Sequence, residues 1–279
     1  MLPLLLAFGS GLGWGTADFL AGVSARRLPL LVVSFVSQAA GLLFIAAIVV
    51  IDGEGPRGSG ALALGLAGGV AAAIGLSALY RGLAIGRMGI VAPTAALSGT
   101  VPVAWGLLRG DRPTTLQLVG VVLAIGGVIL AARTPDEARG RRAAAGVGLA
   151  LVAALTLGLL VVCLDEAGRS DPLWGVLGVR LGALSLLSIA VLARRPSFAL
   201  TKAQAGRLTT VGVLDNGSNL AFALAAEAGG VLTLTSVLGS LYPVTTIVLA
   251  RSVLHERMVR HQVAGVVAAL IGVALIAAG

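Results

Sequence analysis

The strongest constraint on this chain is that it repeats itself. A motif runs through Gly89, Thr94, Leu97, Pro102, Val103, Asp111, Arg112, Gln117, Gly120, Val121 and Gly127, and recurs as Gly230, Thr235, Leu238, Pro243, Val244, Glu256, Arg257, Gln262, Gly265, Val266 and Gly272. The offset is 141 residues through the prolines and 145 from Asp111 onward, so the first copy is shorter by four residues, about one helical turn. Weaker matches pair Gly15 with Gly158 and Pro29 with Pro172, both 143 residues apart, which extends the duplication to the whole chain. The halves divide as residues 1–137 and 143–279. Both copies are almost wholly apolar, so the duplicated unit is a set of membrane helices.

Composition requires the same solvent. With 57% hydrophobic residues, 11% charged and a mean hydropathy of +1.01, a soluble fold of 279 residues could not cover itself with polar surface. Forty glycines would weaken soluble helices, but small residues let membrane helices approach closely. Gly9/Gly13, Gly11/Gly15, Gly65/Gly69, Gly82/Gly86 and Gly178/Gly182 are spaced to form such packing faces.

A span needs about 20 apolar residues, and the chain divides into ten such stretches. They cover 2–22, 30–51, 60–80, 88–108, 114–132, 145–164, 172–193, 208–226, 229–250 and 260–278. The apolar start lacks a basic leader and a small-residue cleavage site, so it reads as a retained first span. Five spans per half is an odd number, which turns the second half upside down relative to the first. The expected fold is an all-α membrane protein of ten transmembrane helices in two inverted five-helix repeats, with its site between the halves near the midplane.

The formal charge of +8 sits in short loops without interleaved aromatics, which argues for an anionic membrane surface as partner and against nucleic acid. Thirteen basic residues fall in the loops that follow odd-numbered spans. The other loops hold only Arg57, Arg109, Arg112 and Arg169. The positive-inside rule then places both termini outside the cytoplasm.

The "WGTADF" of the first span and the Pro-x12-Glu-Arg-x4-Gln-x2-Gly-x6-Gly pattern from Pro243 to Gly272, on ten duplicated spans, resemble the EamA-like transporters of the drug/metabolite transporter superfamily. The chain is similar, more distantly, to sugar-phosphate and nucleotide-sugar carriers and to small multidrug-resistance proteins. Asp111 stands where the family usually has Glu, and Asp18 where it often has an uncharged polar residue. The resemblance implies a multi-pass carrier of small organic metabolites in the cell (inner) membrane, often an exporter of amino acids or related compounds.

The candidate substrate-binding residues are the polar and aromatic groups inside spans. Asp18 lies one turn beyond Trp14 on the same face, either as an ammonium or proton site with an aromatic wall or as an interfacial acid near Arg26 and Arg27. Asp215, Asn216 and Asn219 cluster on one face of the eighth span, lining a substrate path or bonding neighbouring helices. Arg180 either holds a substrate carboxylate, pairs with Asp215 or snorkels to an interface. Tyr80, at the end of the third span, is an interfacial anchor or a cavity residue, and Tyr242 beside Pro243 is a candidate cavity residue. Pro93, Pro102 and Pro243 each remove a backbone donor inside a span, a means of kinking helices for gating. Glu256 and Arg257 read as an ion pair or helix cap at an interface.

No phosphate loop, dinucleotide fingerprint, HExxH or CxxC motif is present, so neither catalysis, a metal nor a cofactor is expected. Cys163 alone excludes an internal disulfide, and the only histidines are His255 and His261. The leading expectation is a secondary transporter working by alternating access, with a proton gradient coupled through Asp18 or Asp215. The alternative is an integral membrane enzyme or flippase acting on lipid-linked substrates, which should concentrate its charged groups at one interface. The subunit state is open between monomer and homodimer.

Overall fold

The structure, a computed structural model, describes residues 1–25, 27–85, 95–132, 141–239, 241–254 and 260–278. Among them every regular element is helical. The helices are α1 (Leu2–Ala25), α2 (Leu30–Asp52), α3 (Ser59–Ile85), α4 (Thr100–Leu108, preceded by a 3₁₀ turn at Ala96–Gly99), α5 (Thr115–Ala132) and α6 (Arg141–Gly168). They continue with α7 (Pro172–Arg194), α8 (Lys202–Glu227), α9 (Leu232–Gly239), α10 (Tyr242–Leu254) and α11 (Arg260–Ala278). Five segments are long and apolar enough to cross a membrane: α1, α2, Ser59–Leu79, Gly148–Gly168 and α7.

Local chemistry sets several helix starts. Pro29 is the N-cap of α2 and Pro172 opens α7, so the two prolines matched by the duplication both begin the second helix of their half. Asp171 caps α7 by accepting the Trp174 amide at 3.2 Å. Thr201 and Gln204 form a capping box on α8, and Thr114 and Gln117 bond reciprocally in the same way at α5. The repeated Gln117 is thereby accounted for as a helix-start residue.

The helices pair between the halves. α3 packs on α6 and α7, α8 packs on α1 and α2, and α5 pairs with α11. Exchanging the halves maps these contacts onto one another, the relation expected of a pseudo-two-fold axis. The crossings run through glycines, and a Cβ there would collide with opposing backbone. Gly65 and Gly69 meet Gly175 and Val179, Gly178 and Gly182 meet Leu62 and Leu66, and Gly120 and Gly127 meet Gly272 and Ala269. In the pair Gly9/Gly13 only Gly13 has a close neighbour, Ser218.

The stretch 229–250, expected as one span, is two helices. α9 ends at Gly239, and α10 starts at Tyr242 with Pro243 as its second residue. In the first half the 3₁₀ turn gives way to α4 at Thr100, with Pro102 as the third residue. Both prolines stand in a first turn, where an amide has no intrahelical acceptor to lose. The breaks therefore precede the prolines, at positions the 141-residue offset superposes.

Candidate functional site

The site is built around α1. Gly11 lies against the carbonyl oxygens of Leu238 and Gly239, and Gly15 against Tyr242 and Thr245. The hydroxyl of Thr246 donates to the carbonyl of Gly15 at 3.0 Å. α1 thus runs alongside α9 and α10 and crosses the helix break. The duplicate glycine does the same in the other half, since Gly158 lies against the Ser98 carbonyl and Val101 at the first break. The side chains of Ser98 and Tyr242 lie close enough to interact, which brings the two breaks together.

Asp18 continues the stripe of α1 that carries Ala7, Gly11 and Trp14, spaced three, four and seven residues apart along one face. That face turns toward the second half, away from the exposed Leu5 and Leu12. Asp18 is nevertheless exposed. An inward-facing residue that is exposed lines an opening within the protein. Asp215 and Tyr242 lie within electrostatic range of it, so the opening is walled by α1, α8 and the start of α10. Among the described residues no cation pairs with Asp18.

Trp14 donates from Nε1 to Oδ1 of Asn219 at 2.8 Å, and its ring meets Phe222 at 5.7 Å between centroids. The same α8 face presents Asp215 and Asn216 to Arg180 on α7. Arg180 is 2% exposed, with Nη1 2.7 Å from Asp215 Oδ2 and Nε 2.5 Å from Asn216 Oδ1. Nη1 also donates to Gln38 on α2. Asn216 completes the arrangement by donating to the Gly41 carbonyl at 3.0 Å. A buried guanidinium is tolerated only when paired, and this one is held by an ion and two amide oxygens. Its Nη2 has no partner among the described residues.

The structure therefore brings Trp14, Asp18, Asp215 and Tyr242 to one opening, with the buried Asn219 holding Trp14 and with Arg180 and Asn216 behind as a charged support. Tyr80 lies on α3 with its side chain outside the described residues, as does that of Pro243. Pro93, His255, Glu256 and Arg257 lie outside them altogether. Gln38, Ser98 and Phe222 complete the cluster without having been singled out in the sequence. Gln38, the one amide in the apolar second span, carried a readable signal.

The model of the EamA-like transporter family matches the chain twice, over residues 1–133 and 144–278. The chain belongs to the EamA-like transporter family. Members of that family are typically transporters rather than enzymes, and the apolar helices agree with a multi-pass membrane protein. No curated protein sequence matches. A solved structure, described only as the crystal structure of a protein, superposes with a TM-score of 0.80 over 98% of this chain and 95% of that one, at 17% identity. At that identity the likeness is one of fold.

Proposed function

We propose that this EamA-like transporter family member is a secondary transporter that exports amino acids or related amine-bearing metabolites across the cell membrane. It works by alternating access of two oppositely inserted halves and is coupled to protons. The observation that carries the reading is Asp18, an acid on the inward face of α1 that is exposed and has Trp14 one turn away. Asp215 has its countercharge in Arg180, so the opening as a whole is acidic and suits a cationic amine. Trp14 and Tyr242 supply apolar and cation–π surface for the remainder of a small substrate.

The exchange of contacts between halves supports the inverted arrangement. The paired helix breaks supply the discontinuous helices on which such carriers build midplane sites. With no nucleotide-binding loop in the sequence, uphill movement has to draw on an ion gradient, and a carboxylate in the opening can take a proton or an ammonium in alternation. The test is counterflow in proteoliposomes, scanning labelled amino acids, polyamines, nucleosides and sugar phosphates. Exchange confined to amine-bearing compounds supports the reading, and exchange confined to phosphates or nucleosides contradicts it.

A further inference from the structure

We propose that the segment Arg109–Gly110–Asp111 is a latch that closes one end of the central cleft and lets go once in each transport cycle, a proposal that rests on the transport reading above. Arg109, at the end of α4, pairs with Glu166 on α6, and the Trp105 indole donates to the same carboxylate oxygen at 3.1 Å. The hydrogen bond that Arg109 donates to Glu166 raises the Arg109 pKa further above its ordinary value, so this partner stays charged. Two residues on, Asp111 Oδ2 accepts the amide and the hydroxyl of Thr233 at 2.9 and 2.8 Å, at the first turn of α9. Gly110 sits between them at φ +98°, a backbone conformation other residues rarely adopt, which accompanies the divergence of its neighbours to different partners. Gly106 leaves the space that the Asp111 carboxylate fills.

Each of these bonds joins the first half to the second. Their end of the molecule is also bridged by Arg57, whose side chain reaches Glu227 at 3.2 Å and whose amide donates to Asp171 at 3.0 Å. The bonds are polar, and the Arg109 side chain is 53% exposed, so water can replace its pairing with Glu166 as it parts, whereas Thr233 is buried. The deep crossings between halves are unlike them, being backbone against backbone at glycines.

The latch also connects to the cleft. α9 is buried along its whole length and runs from Thr233 to the break before Tyr242. Gly11 lies beside Leu238 and Gly15 beside Tyr242, so α1 runs in the same direction as α9 and α10 and carries Asp18 past the break, away from Thr233. The exposed acid and the latch therefore lie at opposite ends of the path. Releasing Asp111 frees the helix that leads to the cleft wall.

A reporter cysteine tests this without a substrate. In a Cys163→Ala background carrying Ser236→Cys on buried α9, labelling by a membrane-impermeant maleimide should be slow. Arg109→Glu and Asp111→Ala should each speed it about tenfold, the change expected when a minor open state becomes a major one. Adding Glu166→Arg to Arg109→Glu should restore the slow rate, which a damaged fold would not do. Unchanged labelling in both single variants, or a charge swap that labels as fast as Arg109→Glu alone, overturns the latch. Counterflow by the parent protein reports on the transport reading separately, so the two can fail independently.

Discussion

The indole Nε1 of Trp14 donates to Oδ1 of Asn219 at 2.8 Å, tying the first helix of one half to the third helix of the other. The bond orients an aromatic face one turn from Asp18. Asn219→Ala leaves the indole nitrogen without its acceptor, at a cost of about 1–3 kcal/mol if no water replaces it. Trp14→Phe keeps the ring beside Phe222 and loses the same bond. Both variants should bind substrate several-fold more weakly while remaining folded in detergent, measured by counterflow KM alongside thermal unfolding. Parental KM in both would remove Trp14 from the substrate path.

Arg180 makes a different prediction because it stands behind the opening. Arg180→Gln removes the countercharge of Asp215 and the donor to Asn216, and breaking a buried pair typically costs about 3–5 kcal/mol. Asp215→Asn should cost less, since Asp215 is 28% exposed and an amide oxygen can still accept from the guanidinium. Thermal unfolding in micelles should rank Arg180→Gln well below Asp215→Asn. The reverse order would mean that the pair is not what holds α7 to α8.

Close packing at glycines predicts a contrast between two positions. A Cβ on Gly69 would collide with the Val179 carbonyl, whereas one on Gly22 would meet nothing within 4 Å. Gly69→Ala should lower stability by about 1–3 kcal/mol through overpacking. Gly22→Ala should be neutral or slightly stabilising, because alanine is the better helix former. Equal melting temperatures for the two variants would contradict the α3–α7 interlock.

The basic-loop asymmetry predicts that both termini face away from the cytoplasm. A C-terminal alkaline phosphatase fusion should be active and a C-terminal green fluorescent protein fusion dark. The opposite pair of results would reverse the orientation and place the Arg109 latch at the cytoplasmic end.

Much of this architecture can be read directly from the chain, for physical reasons. The lipid solvent forces long apolar runs, so helix positions such as 30–51 and 172–193 lie within a residue of α2 and α7. Polar residues inside spans must find partners, and Arg180 meets Asp215, one of the alternatives its place in a span left open. The helix breaks were harder to place. Proline marks their neighbourhood, yet Pro102 and Pro243 stand inside first turns, and the breaks depend on the packing of Gly158 and Gly15 from the opposite half. Asp111 was legible as a repeated acid matched to Glu256. Its bond to Thr233 crosses 122 residues of chain and has no local signature.

Asp18 decides between a working acidic opening and a merely polar one. In proteoliposomes carrying an imposed pH gradient, the parent protein should accumulate an amine-bearing substrate against its gradient. Asp18→Asn should retain substrate exchange at zero gradient, with weakened affinity, and lose the response to pH. Parental accumulation by Asp18→Asn, with an unchanged dependence on the pH gradient, would contradict the assignment of Asp18 as the group that exchanges proton for substrate.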